Sequence, residues 1–109
     1  RVPVFCKIRL LDTLAETLQF CKQLQDAGCA LLAVHARYRG TPTRRREGPA
    51  DLEQVREIKK VVSMPVLSNG NTITCDDVLK NLSLTGADGI MSAEGLLDDP
   101  TLFQRPRAL

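Results

Sequence analysis

Two hydrophobic periods alternate along this chain, and that alternation restricts the fold more than any other feature. Residues 2–10 are rich in β-branched side chains, with Val4, Cys6 and Ile8 on one side and Lys7 and Arg9 on the other, the two-residue period of a strand. Thr13 followed by Glu16 reads as a capping box, and Leu14, Leu18, Cys21 and Leu24 then recur at helical spacing until Gly28. A short apolar strand is expected over 31–35. Beyond Gly48-Pro49, Asp51 with Gln54 opens a second helix striped by Leu52, Val55, Ile58 and Val62. A third strand at 65–68 closes on Asn69-Gly70-Asn71. Thr74 caps a third helix with Val78, Leu79 and Leu82, ending near Gly86. A fourth strand is expected at 87–92, and Asp99-Pro100 opens a last short helix with proline at its first position. Four strand–helix units joined by short loops require parallel strands with right-handed helical crossovers. No linker, low-complexity tract or internal boundary interrupts the 109 residues.

Composition agrees with a water-soluble globular domain: 43% of residues are apolar and 26% charged, and no apolar run is long enough to cross a bilayer. The four cysteines, Cys6, Cys21, Cys29 and Cys75, contain no Cys-x-x-Cys pair, and His35 is the sole histidine, so no metal site is expected. Four cysteines would also allow a secreted disulfide framework by count, but Cys6 and Cys21 fall in apolar-periodic segments and read as reduced, buried thiols of a cytoplasmic protein, with the nucleus as the other compartment open to it.

The net charge is only +2, but Arg37, Arg39, Arg44, Arg45 and Arg46 fall in one window with Tyr38 among them. Such a run is either a solvated loop or a surface that contacts a phosphate backbone.

Polar residues fall at comparable places on every strand. Lys7 and Arg9 close the first, His35 and Arg37 the second, Asn69 and Asn71 the third, and Ser92 and Glu94 the fourth. Each pair is two residues apart and so projects to one side of its strand or extension. Ligands of parallel α/β folds bind at the carboxyl ends of strands. These pairs therefore predict a polar rim. Asn69-Gly70-Asn71 is either a simple turn or a tight approach of backbone to a ligand. Ser92-Ala93-Glu94-Gly95 lies where barrel enzymes often hold phosphate, although Glu94 would repel one unless turned away. Lys7 reads as a structural or a catalytic cation; His35 as a ligand donor or a histidine satisfied by neighbouring backbone.

Four segments in register carry a resemblance. Cys6-Lys7-Ile8-Arg9, then Ala27-Gly28-Cys29 leading to Val34-His35-Ala36-Arg37, then the run from Pro65 to Asn71, then the run from Gly89 to Gly95 together resemble the tRNA-dihydrouridine synthases. The Ser-Ala-Glu-Gly ending, with Asp99-Pro100 and Leu102-Phe103 after it, is similar to the eukaryotic type that modifies the D-loop. The resemblance implies a (βα)4 half of a TIM barrel, strands five to eight, making residues 1–109 the C-terminal half of a catalytic domain of roughly 250 residues. It implies FMN as cofactor, NADPH as reductant and tRNA as substrate, with hydride passing to C6 of a flipped-out uridine and a cysteine protonating C5. Lys7, His35, Asn69, Gly70, Asn71, Ser92 and Ala93 match the cofactor-site positions. Arg37, Arg39, Arg44, Arg45 and Arg46 match the side that faces tRNA.

Two departures stand out. Ala36 replaces the family's usual glycine. The acid cysteine belongs to an Asn-x-x-Gly-Cys-Pro segment that this sequence does not contain, so no catalytic acid is assigned and the chain alone is expected to be inactive. A half barrel also leaves two sheet edges and an inner face open, an expected route to self-association. The alternatives are another FMN- or phosphate-binding barrel oxidoreductase acting on a small molecule, and a non-catalytic RNA-binding half barrel.

Overall fold

The computed structural model describes residues 2–38 and 49–104. Strands β1 (Phe5–Leu10), β2 (Leu31–Tyr38), β3 (Val66–Asn69) and β4 (Gly89–Met91) alternate with helices α1 (Leu14–Asp26), α2 (Leu52–Val61), α3 (Cys75–Thr85) and α4 (Glu94–Asp98). All strand pairs are parallel, in the order β1-β2-β3-β4. This is the α/β half barrel, each helix carrying the chain back to the start of the next strand.

The hydrophobic core lies between the sheet and its helices. Leu10, Leu32, Val34, Ala36 and Val66 point from the strands toward Cys21, Val55 and Ile58, and all eight are fully buried. The opposite sheet face carries Lys7, Arg9, His35 and Asn69, and Phe5 at its foot is 64% exposed. That face is the open one expected of half a barrel.

Local chemistry sets the element ends. The Thr13 hydroxyl accepts the Glu16 amide at 3.1 Å, and Thr17, fully buried, donates to the Thr13 carbonyl while accepting the Leu11 amide. Thr74 and Asp77 form the reciprocal capping box of α3, and the backbone amides at Thr74 and Ile73 hold the Asp77 carboxyl below its ordinary range. Gly86 ends α3 with φ +67°. Gln25 on α1 accepts the Ser63 and Met64 amides, and Asp88 accepts both Lys59 Nζ at 2.6 Å and the Val66 amide at 2.8 Å, joining α2, β3 and β4.

Four expectations shift. β2 runs on to Tyr38 because an irregularity between Arg9 and Leu10 lets Leu10 pair with Tyr38. The buried stripe of α3 is Val78, Asn81 and Thr85, with Leu79 left 44% exposed, because the Asn81 amide is needed inside, as shown below. The last helix precedes Asp99-Pro100. Asp99 instead turns its carboxylate onto the Thr101 amide and hydroxyl and closes a turn over the buried Leu102. The Asp51 carboxylate does not cap α2 backbone either; the Gln54 side-chain amide takes it at 3.0 Å while also donating to the Tyr38 hydroxyl.

All four cysteines are free, and burial pushes the Cys21 thiol up to about 11. No helix among the described residues is long and apolar enough to cross a membrane.

Candidate functional site

The parallel register lays the site out in rows. Arg9 pairs with His35, His35 with Asn69 and Asn69 with Met91, forming one level across the four strands. One level lower, Lys7, Ala33, Leu67 and Gly89 are aligned in the same way, so two of the residues at the level of Lys7 are the small Ala33 and Gly89. Side chains on alternate residues share a face, and the eight polar residues spaced two apart converge on one cavity of about 300 Å³ at the carboxyl ends of the strands. Its wall contains Lys7, Arg9, His35, Arg37, Asn69, Gly70, Asn71, Ser92, Ala93 and Glu94. The cofactor-site residues expected from the sequence are therefore all in one place. Arg37 joins them, whereas Arg39, Arg44, Arg45 and Arg46 lie outside the described residues.

The floor of the cavity is a loop braced from behind. Asn69 donates to the Met91 carbonyl at 3.0 Å, tying β3 to the end of β4. Gly70 has φ +134°, and a Cβ on it would stand 2.7 Å from Ala50 Cβ. Asn71, itself left-handed at φ 55°, accepts the Ala50 amide at 2.9 Å and donates to the Ala50 carbonyl at 3.2 Å. The turn is thus docked on the backbone just after the arginine-rich stretch. Asn81, 2% exposed, donates to the Gly70 carbonyl from α3, and the Ser92 hydroxyl donates to the Thr72 carbonyl. Gly95 lets α4 approach, since a Cβ there would meet the Thr72 carbonyl oxygen at 2.5 Å.

Gly95 belongs to the Ser92-Ala93-Glu94-Gly95 segment expected from the sequence, whereas Asn81, buried in α3, carries no sequence signal that marks it as part of the site.

Electrostatically the cavity favours an anion. Lys7, Arg9 and Arg37 bring three cationic side chains to a wall whose one carboxylate among the described residues is Glu94. Burial, then Arg9, Arg37 and Lys7, pull the His35 imidazole down to about 4, so it is neutral at physiological pH. Arg37 Nη1 stands 2.6 Å from His35 Nε2. A larger, shallow depression of about 760 Å³ lies on the far side between α2 and α3. Its lining combines Leu79 and Leu84 with Arg56, Lys80, Ser83 and Thr85.

The whole sequence, residues 1–109, matches the family model described as dihydrouridine synthase. The chain belongs to the dihydrouridine synthase family. A rat protein described as tRNA-dihydrouridine(16/17) synthase-like is 40% identical over 107 residues, covering 94% of this chain and 23% of its own length. The tRNA-dihydrouridine(20a/20b) synthase of Saccharomyces cerevisiae is 37% identical over 100 residues, covering 89% of this chain and 26% of its own length. This dihydrouridine synthase chain thus spans about a quarter of each of these two relatives. Among solved structures, a mandelate oxidase with benzaldehyde superposes with a TM-score of 0.62 at 19% identity, over 81% of this chain and 31% of that one. That likeness is one of fold, and it supports the half-barrel architecture.

Proposed function

We propose that the protein reduces uridine to dihydrouridine in tRNA, on the D-loop, using FMN held in this cavity and NADPH as the source of hydride. In this reading the chain is the C-terminal half of the FMN-binding barrel, and its open inner face packs against the remaining strands. The observation that carries it is the convergence, in a dihydrouridine synthase chain, of three cationic side chains and the braced Asn-Gly-Asn turn on one cavity.

The donor set suits a flavin mononucleotide. Lys7, Arg9 and Arg37 offer N–H donors without acceptors, which match a phosphate and the electron-rich edge of a reduced isoalloxazine. Lys7 would lie along the ring, where its ammonium favours added negative charge. Asn69, Gly70, Asn71, Ser92 and Ala93 would take the ribityl and phosphate groups, and neutral His35 would donate to cofactor or substrate. When bound, the flavin supplies hydride chemistry that no amino-acid side chain provides.

The proton for C5 comes from elsewhere. The resemblance implies that the proton donor is the cysteine of the family's Asn-x-x-Gly-Cys-Pro segment, which this sequence does not contain, and no cysteine among the described residues lines the cavity. Arg37 and the run through Arg39, Arg44, Arg45 and Arg46 would meet the tRNA backbone, where each phosphate contact adds to the salt dependence of binding. Action at a cytoplasmic tRNA pool completes the proposal.

The test is to incubate unmodified tRNA with the full-length protein that carries this half barrel together with the Asn-x-x-Gly-Cys-Pro segment, FMN and NADPH, and to follow the two-hydrogen mass gain of uridine by nucleoside mass spectrometry. The gain is expected with the wild-type protein and lost in Lys7→Ala. An unmodified nucleoside pool with the wild-type protein would overturn the reading.

A further inference from the structure

The contacts of Arg37 assign it a task beyond charge. We propose that Arg37 is the positioning residue for His35, holding the imidazole in the neutral tautomer with Nε2 as acceptor and the proton on Nδ1. The proposal builds on the cavity being the binding site but does not depend on which cofactor fills it.

The guanidinium has five donors and no acceptor, and it stays charged throughout the physiological range. With Arg37 Nη1 2.6 Å from His35 Nε2, that nitrogen must present its lone pair. A proton on Nε2 would put two N–H groups head to head. The same guanidinium is anchored on its other side, with Nη2 3.4 Å from Asn71 Oδ1. Asn71 is in turn clamped on both backbone groups of Ala50. Behind them, a Cβ on Gly70 would stand 3.8 Å from both Arg37 Nη1 and His35 Cδ2, so ring and guanidinium border the same space beside Gly70. His35 and Arg37, two residues apart on β2, share a face of the strand.

The surrounding charges act in the same direction. Lys7 and Arg9 from β1 and Arg37 from β2 face the ring and oppose its protonation, while Glu94 of α4 stands in the same cavity wall as a counter-charge to all three. His35 is thereby a fixed N–H donor for a carbonyl, hydroxyl or phosphate oxygen, and not a proton store that empties near neutral pH. A ligand group that must itself donate to Nε2 is shut out by Arg37.

His35 is the sole histidine of these 109 residues, and its ring signals are identified by their loss in His35→Asn. The protein is labelled with ¹⁵N-histidine, and the two ring nitrogens are followed by NMR across a pH titration without added cofactor. The wild-type protein is expected to show Nδ1 protonated and Nε2 unprotonated down to a pH near 4. Arg37→Met removes the donor and should admit the Nε2–H tautomer while raising the midpoint by about one pH unit or more. Arg37→Lys, which restores a cationic donor, should recover the Nδ1–H tautomer. A purely structural Arg37 would lower the melting temperature without altering the tautomer ratio.

A wild-type ring protonated on Nε2 overturns the assignment. So does an Arg37→Met protein whose tautomer and midpoint are unchanged. If Arg37→Met does not fold, the wild-type spectrum and Arg37→Lys decide alone. A predicted tautomer in a protein that never binds flavin leaves the assignment standing and removes the cofactor reading; a flavin-binding protein with the other tautomer does the reverse.

Discussion

Substituting Gly70 with alanine tests whether the Asn-Gly-Asn turn is docked on the segment after the arginine-rich stretch. Two costs add. At φ +134° an L-residue is strained, which is worth about 1–3 kcal/mol. The new methyl would also begin 2.7 Å from Ala50 Cβ. Relieving that contact means moving either the turn or residue 50, which Asn71 holds by two hydrogen bonds, at about 1–3 kcal/mol for overpacking. Gly28→Ala isolates the first cost, since Gly28 has φ +105° and an added methyl there would meet no described atom within 4 Å. Urea unfolding of both variants should therefore show Gly70→Ala less stable than Gly28→Ala by about 1–3 kcal/mol at equal m-value. Adding Ala50→Gly to Gly70→Ala should recover most of that difference, because it removes the atom that clashes. Equal losses in the two single variants, or no recovery in the double variant, would refute the docking argument.

Other outcomes follow from the same geometry. His35 sits below its ordinary value of 6.5, at about 4. The unfolded chain therefore binds more protons between those values, and stability falls as pH drops from 6.5 to 4 and levels off below. The shift sets a ceiling of about 3 kcal/mol, and solvent screening of the partly exposed ring reduces the loss to about 1–2 kcal/mol. Urea unfolding of His35→Asn should lack this slope, and an unchanged slope would contradict it. Gly95→Ala drives a methyl into the Thr72 carbonyl at 2.5 Å and should cost about 1–3 kcal/mol by thermal unfolding; a neutral result would mean that α4 can move away. Thr74→Ala removes one half of the capping box of α3 and should cost about 1 kcal/mol, with exchange of the Asp77 amide rising first.

Most of the architecture is legible in the sequence because periodicity reports burial on one face. The helix side of each strand is continuous core, and Leu14 to Leu24 or Leu52 to Val62 repeat at the spacing that packs against it. The site is legible for the same reason. A period of two places Lys7 with Arg9 and His35 with Arg37 on the face that the core does not use, and the strand register sets Arg9 beside His35. What escapes is whatever tertiary hydrogen bonding decides. Asn81 takes a buried place that Leu79 would fill by hydrophobicity alone, because the Gly70 carbonyl behind the turn needs a donor. The last helix is placed too late because Asp99-Pro100 resembles a helix start, whereas the Asp99 carboxylate is already committed to Thr101. Arg37 reads as the first of a basic run, yet its contact to Asn71 is visible only once residues 34 positions apart meet.

Whether the cavity takes a flavin phosphate is the point on which the proposed function rests most directly. The protein should be purified, denatured, and its supernatant analysed for released FMN, with the deflavinated protein then titrated with FMN and followed by flavin fluorescence. Released FMN, saturable rebinding, and rebinding weakened in Lys7→Ala are the predicted results. A protein that yields no flavin and leaves FMN fluorescence unchanged on titration would contradict the central claim.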